Sequence, residues 1–238
     1  MPSLVFDIET VGEDFNKMDK MTKEALTYWI ERESMGEAEY KKNVDRVKDR
    51  LGLSPLTGEV VSIAVYNPDT KKGAVYYQAP NKKIKNFTQK GIEFVCTDEK
   101  GILKNFWSVA EKYDEFVTYN GQSFDFPFII TRSAIHKVKP TKNAMSNRYY
   151  RSQDLQAKHV DLMDQMTFYG AVYTRPKLHM VCRAFGVTSP KEKGIAGGDV
   201  AKLFAKGYFK EIAEYNVRDV IATAAVYEIW RKYFKFGY

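Results

Sequence analysis

Leu4-Val5-Phe6-Asp7-Ile8-Glu9-Thr10 is a short apolar run whose β-branched and aromatic residues predict a β-strand. Successive side chains on a strand point to opposite faces, so Asp7 and Glu9 share one face while Phe6 and Ile8 enter the other. Two carboxylates placed side by side repel each other, and either a bound cation or surrounding water must relieve that repulsion. A metal site and a solvated acidic strand end are the two readings of the pair, and the rest of the chain has to separate them.

Working outward, the next acidic position follows a second strand-like segment, Glu115-Phe116-Val117-Thr118-Tyr119. It lies in Asn120-Gly121-Gln122-Ser123-Phe124-Asp125-Phe126-Pro127. Asn-Gly marks a turn, and Pro127 suits the first turn of a helix, where its missing N–H costs nothing. Asp125 is therefore a candidate helix N-cap, a candidate metal ligand, or both. Near the other end, Tyr215-Asn216-Val217-Arg218-Asp219 sits in an alanine-rich helical pattern that runs on to Ala225. The i,i+4 spacing puts the Tyr215 phenol and the Asp219 carboxylate on one helix face. A buried tyrosine bonded to an exposed acid is the plain alternative. Together the four carboxylates can hold two divalent metals, the equipment for cutting phosphodiester bonds.

The joint arrangement resembles the 3′–5′ exonuclease superfamily with a ribonuclease-H-like fold, in its tyrosine variant. Members of that family carry Asp-x-Glu, then Asn-x3-Phe-Asp, then Tyr-x3-Asp. The matching positions are Asp7-Ile8-Glu9, Asn120 to Asp125 and Tyr215 to Asp219, in the family's order. The pattern is similar to the proofreading domain of family B DNA polymerases and to its stand-alone relatives. Supporting stretches are Gly58 to Val65 as a second strand, His159-Val160-Asp161-Leu162 as a later one, and Leu178 to Cys182 leading to Gly186. The likeness spans about residues 3–230 and weakens over 13–52 and 132–158.

That resemblance implies an α/β fold, a mixed five-stranded sheet flanked by helices with the carboxylates at one end and a helical insertion after the first strand. It implies two Mg²⁺ or Mn²⁺ ions per site, with Asp7 bridging both, Glu9 and Asp219 completing the first site and Asp125 supporting the second. Tyr215 would orient the attacking water; an ordinary phenol stays protonated near neutral pH, which favours positioning over proton abstraction. Asn120 and Phe124 would lie near the terminal nucleotide, Phe124 either stacking on a base or packing in the core. His136, His159 and His179 all lie away from the last motif, so Tyr215 is the candidate for that role.

Composition agrees with such an enzyme. One domain over 238 residues with 44% hydrophobic content can bury a sizeable core. A net charge of +7 and a pI near 9.1 favour a polyanionic partner. Cys96 and Cys182 are far apart and suggest neither a disulfide framework nor a zinc site. Asp7 and Glu9 interrupt the position a signal peptide would need, and no run of about 18 apolar residues exists. A soluble, cytoplasmic setting without membrane contact is expected.

Two segments stand apart. Lys20 to Leu51 is highly charged with interspersed Ala25, Leu26, Trp29, Ile30, Tyr40, Val44 and Val47, and predicts one or two amphipathic helices. It is either a solvated excursion or a flap beside the metal-bearing strand end. Arg132 to Lys158 carries Lys137, Lys139, Lys142, Arg148 and Arg151 against the single acid Asp154, with Tyr149 and Tyr150 inside. Basic residues interleaved with aromatics suit a single-stranded groove, with Arg148 and Tyr149 as candidate substrate contacts, or a mobile basic loop. Towards the end, Pro176 to Phe185 predicts a helix stopped by Gly186, Ser189 to Gly198 a polar loop, and Asp199 an N-cap for Val200 to Ala205.

The expected function is metal-dependent 3′–5′ exonuclease action on single-stranded DNA, releasing nucleoside 5′-monophosphates. RNA trimming by the same chemistry is one alternative, and a non-catalytic nucleic-acid-binding subunit of the same fold is another. A small-molecule α/β enzyme is disfavoured, since no glycine-rich phosphate loop or nucleophile elbow occurs.

Overall fold

The strands are β1 (Ser3–Gly12), β2 (Gly58–Asn67), β3 (Lys72–Tyr77), β4 (Phe87–Gln89), β5 (Ile92–Cys96), β6 (Glu115–Thr118) and β7 (Lys158–Asp161). In the computed structural model, which describes residues 1–190 and 197–235, they form one seven-stranded sheet ordered β4-β5-β3-β2-β1-β6-β7. β1 pairs antiparallel with β2 and parallel with β6, so the sheet is mixed, as expected of the α/β class. The expectation of five strands falls short by two at the far edge. For one of the two the reason is local: β4, Phe87-Thr88-Gln89, is only three residues long, too short for a period-2 pattern to register.

The helices are α1 (Lys20–Glu33), α2 (Glu37–Arg50), α3 (Glu99–Ala110), α4 (Asp125–Ile135), α5 (Leu162–Met166), α6 (Leu178–Phe185), α7 (Val200–Ala205) and α8 (Phe209–Tyr233). Alternation along β1 divides them between two cores. Leu4, Phe6 and Ile8 pack with Ile102, Phe106, Phe126 and Ile129 of α3 and α4. Val5 packs on the opposite face with Val181 and Cys182 of α6 and with Ala213, Val217 and Val220 of α8. Asp7 and Glu9 share the parity of Val5, so the strand aims both carboxylates at α8. Alanines at 213, 222 and 224 are buried along α8 and let this 25-residue helix lie close to the sheet.

The charged segment after β1 forms the two helices α1 and α2, with Ile30 fully buried. Its return leg is tied to the strand it left: the Thr10 hydroxyl donates to Gly52 O at 2.6 Å, and Glu13 N–H donates to Thr57 O at 2.9 Å. The Arg132 guanidinium adds a bond to Pro55 O at 3.2 Å and a forked pair with Glu99, whose Oε1 also accepts from Val60 N–H. These bonds anchor the base of the insertion beside the end of β1.

The helix over Leu178–Phe185 ends at Gly186 in the left-handed region, φ 67°, the conformation glycine adopts without penalty at a helix end. Asp199 occupies the N-cap position of α7 as expected, but its side chain makes no capping bond, because its backbone is already helical, φ −93° and ψ −14°. Residues 191–196 of the polar loop lie outside the described residues. Among the described residues no helix is long and apolar enough to cross a membrane.

Candidate active site

The predicted carboxylates and Tyr215 converge at β1, against which α8 packs. Carboxylate oxygens of Asp7, Glu9 and Asp219 lie within 4.8 Å of one another. The β1–β2 register shifts between Glu9 and Thr10, a bulge of the kind that re-aims side chains beside functional sites. Across the ladder, α8 presents Tyr215 and Asp219 from successive turns. Both are buried, 5% and 8% exposed, so the alternative of an exposed acid beneath a buried tyrosine does not hold.

Asp125 joins this group by a different route from the capping role its position suggests. It is the first residue of α4, with Phe124 at the N-cap position and no side-chain capping bond there. Its Oδ1 instead accepts the Ile8 N–H at 3.1 Å, which fixes the carboxylate beside the peptide between Asp7 and Glu9. A cleft of about 220 Å³ is lined by Asp7, Glu9, Asn120, Phe124, Asp125, Leu178, Tyr215 and Asp219. Larger cavities lie elsewhere, but they lack this set of acids.

Burial and mutual repulsion set the electrostatics. Burial, then the charges of Asp125, Asp219 and Glu9, push the Asp7 carboxyl well above the usual range, against a smaller opposing pull from Asn216. Burial, then Asp219 and Asp125, raise Glu9 in the same way. Asp125 is pushed up to about 7, chiefly by burial. The Tyr215 hydroxyl is bonded to Asp219, and burial followed by the surrounding carboxylates raises its pKa further; the phenol keeps its proton throughout the working range. Carboxylates gathered this closely repel one another, and a bound cation relieves that repulsion. Hard oxygen ligands of this kind fit a small divalent cation such as Mg²⁺ or Mn²⁺.

Sequence reasoning missed the residues that hold the ligands in place. Asn216 is fully buried; its Nδ2 donates to Asp7 Oδ2 at 2.6 Å, and its Oδ1 accepts the Ser62 hydroxyl at 2.8 Å. Asp161 is a second: its carboxylate accepts Asn120 N–H at 2.9 Å and Gln122 N–H at 3.0 Å while capping α5 through Met163 N–H at 3.0 Å. That clamp holds Asn120 at φ 70°, a left-handed conformation asparagine tolerates. Gly121 is required by close approach, since a Cβ there would sit 2.4 Å from Thr118 Oγ1. Beneath the turn, His159 Nδ1 donates to Gln122 Oε1 at 3.0 Å and Nε2 accepts from Thr118 at 2.8 Å. Burial lowers its pKa to about 3, keeping the ring neutral. The only cue in sequence was Asn216 and Ser62 standing at positions whose neighbours are apolar.

Asn120 and Phe124 line the cleft, Phe124 with its ring 5.5 Å from that of Phe128, so its stacking and packing readings are both compatible with its place. Arg148 and Tyr149 do not line it. Arg148 forms a fork with Asp164, both bonds 2.8 Å, and Tyr149 packs edge-on to Tyr169 at 5.0 Å. Several other basic residues of 132–158 are also engaged: Arg132 by Glu99, Lys142 by Gln156 O at 2.9 Å, and Lys158 by Tyr150 O at 2.8 Å. The segment therefore presents less free positive charge than its composition suggests.

Comparison with known proteins shows the family and the fold. Residues 60–234 match the family described as "Predicted 3′-5′ exonuclease related to the exonuclease domain of PolB". The match includes Asn120, Asp125, Tyr215 and Asp219 and begins after Asp7 and Glu9. The chain is similar to DNA polymerase 1 of Sulfolobus acidocaldarius, 25% identical over 240 residues, covering 91% of this chain and 26% of the polymerase. It is also similar to a DNA polymerase of Methanocaldococcus jannaschii, 27% identical over 156 residues, covering 58% of this chain and 9% of the polymerase. The chain thus spans about a quarter or less of the length of these relatives. The family B DNA polymerase of Pyrobaculum calidifontis shares the fold, with a TM-score of 0.58 at 18% identity over 96% of this chain and 24% of that one.

Proposed function

Because the chain belongs to the family of predicted 3′–5′ exonucleases related to the PolB exonuclease domain, we propose that it is a metal-dependent 3′–5′ exonuclease acting on single-stranded DNA and releasing nucleoside 5′-monophosphates, with residues 1–238 forming one catalytic domain. The observation that carries this reading is the convergence of Asp7, Glu9 and Asp219 within 4.8 Å, in a cleft shared with Asp125 and Tyr215.

Asp7, Glu9 and Asp219 would hold one divalent cation, with Asp7 shared and Asp125 supporting a second. A bound pair of such cations stabilises charge on the attacking and leaving oxygens of an in-line displacement. The chain's own groups do the positioning. Asn216 fixes one oxygen of Asp7 by donating to its Oδ2. The protonated Tyr215 hydroxyl holds the attacking water by a hydrogen bond and does not act as its base, because its pKa is raised. Asn120 and Phe124 meet the terminal nucleotide, and Arg148 and Tyr149 contact the strand farther from its end.

Product analysis tests this reading. Single-stranded DNA incubated with protein and Mg²⁺ or Mn²⁺ should yield nucleoside 5′-monophosphates, and nothing in EDTA. Nucleoside 3′-monophosphates, internal fragments or intact substrate would contradict it. Faster release from RNA of the same sequence would make RNA trimming the activity.

A further inference from the structure

A second cavity, about 370 Å³, lies against the C-terminal half of α8, where Tyr149, Phe168, Tyr169, Trp230, Phe234 and Lys235 contribute to its lining. It shares no residue with the carboxylate cleft. Two of its rings remain largely in solvent, Tyr149 at 56% and Phe168 at 53% exposure. They are nevertheless held in place. Tyr149 packs edge-on to Tyr169 at 5.0 Å, and the Tyr169 hydroxyl accepts Tyr150 N–H at 3.2 Å and Gln165 Nε2 at 2.7 Å. Phe168 and Tyr169 are consecutive non-glycine residues in the left-handed region, φ 51° and 57°. Strain of this sort persists only where the surroundings enforce it and gathers at binding and catalytic sites.

The charge around the cavity is positive. Lys235 Nζ stands 5.4 Å from the Tyr150 ring and 5.7 Å from the Trp230 ring, and Lys158 Nζ 4.9 Å from Tyr150. The nearby acid, Glu115, accepts from the hydroxyls of Ser3, Tyr150 and Tyr227 and pairs with Lys235 Nζ at 3.9 Å, while Lys158 is buried and donates to Tyr150 O, so Lys235, 38% exposed, is the lysine that borders the cavity. The exposed faces of Tyr149 and Phe168, in a cavity that Lys235 also lines, match a ligand that alternates flat π-surfaces with negative charge. Single-stranded nucleic acid is that ligand.

Its place relative to the cleft sets the register. α5 is capped at its N-terminus by Asp161, which clamps the Asn120–Gln122 turn in the cleft, and ends at Met166, two residues before Phe168. Along α8, Asp219 and Trp230 are separated by about 16 Å at 1.5 Å per residue. At 3.4 Å or more per nucleotide, a strand covers that in at most about five nucleotides. We propose that the Tyr149–Phe168–Trp230 cavity is a stacking subsite for bases of the single strand upstream of its 3′ end. The direction of that strand rests on the exonuclease reading above.

The test is binding without turnover. Fluorescence anisotropy in EDTA, with 5′-labelled oligothymidylate of 12 and of 3 nucleotides, is compared for wild type, Phe168→Ala and Phe168→Tyr. Loss of one stacking ring should weaken 12-mer binding by about fivefold or more, change trinucleotide binding less than twofold, and be restored by tyrosine. Oligouridylate of the same lengths, run in parallel, distinguishes DNA from RNA as the strand accepted. Unchanged 12-mer affinity in Phe168→Ala, equal loss on both lengths, or no rescue by tyrosine would overturn the subsite. Because no cleavage is read, a protein that binds through this cavity yet never cuts would refute the exonuclease reading and leave the subsite standing.

Discussion

Asn216→Ala tests how the ligand geometry is held. The substitution removes the 2.6 Å bond to Asp7 Oδ2 and leaves the fully buried Ser62 hydroxyl without its acceptor. A hydrogen bond to a charged group contributes about 1.5–3 kcal/mol, and an orphaned buried hydroxyl costs about 1–3 kcal/mol. Asp7 is already pushed towards its neutral form by burial and by three neighbouring carboxylates, and Asn216 is what opposes that push. Losing it should both free the carboxylate to rotate and make its ionised form harder to reach. Outer-shell partners of metal ligands typically contribute about 10- to 100-fold in affinity or activity. Asn216→Ala should therefore raise the Mn²⁺ concentration for half-maximal activity by about 10- to 100-fold, with partial recovery of rate at saturating metal. Ser62→Ala, which removes only the bond that orients the amide, should give a smaller shift in the same direction. The assay is a metal titration of cleavage rate beside a thermal melt. A lowered melting temperature with unchanged metal dependence would refute the argument and leave Asn216 as a packing residue.

Three further expectations follow from the same geometry. In metal-free protein, Asp125 ionises at about 7 against an ordinary 3.8, and Asp7 and Glu9 are raised alike. The folded state thus keeps protons the unfolded chain has lost, and stability should fall as pH rises from about 4 to about 7. Melting in EDTA should show that decline and Ca²⁺ should offset it, whereas a rising EDTA profile would contradict the shifts. Gly121→Ala drives a Cβ to 2.4 Å from Thr118 Oγ1 and should cost about 1–3 kcal/mol by overpacking; an unchanged urea midpoint would rule out the close approach. Tyr215→Phe should lower turnover by up to about 100-fold with little change in metal dependence, and a wild-type rate would reduce Tyr215 to packing.

Much of the site was legible because its determinants are local. The period of two along β1 places Asp7 and Glu9 on one face whatever the rest of the chain does, and the i,i+4 spacing does the same for Tyr215 and Asp219 on α8. What stayed hidden depends on partners distant in sequence. Asn216 reaches Asp7 across 209 positions and Ser62 across 154, and no local pattern encodes such pairs. Asp125 looks like a cap because the cap rule is local, while its actual donor, Ile8 N–H, comes from another strand. The basic segment over 132–158 looked like a free groove because its balancing acids, Glu99, Asp114 and Asp164, all lie outside it. β4 escaped notice through brevity alone.

The most direct test of the account is a time course on a 5′-labelled single-stranded DNA oligonucleotide in Mg²⁺, Mn²⁺ or EDTA, with Asp7→Ala alongside. The account predicts a metal-dependent ladder that shortens from the 3′ end and is absent in the variant. An intact oligonucleotide in every lane, or a ladder that persists in Asp7→Ala, would contradict it.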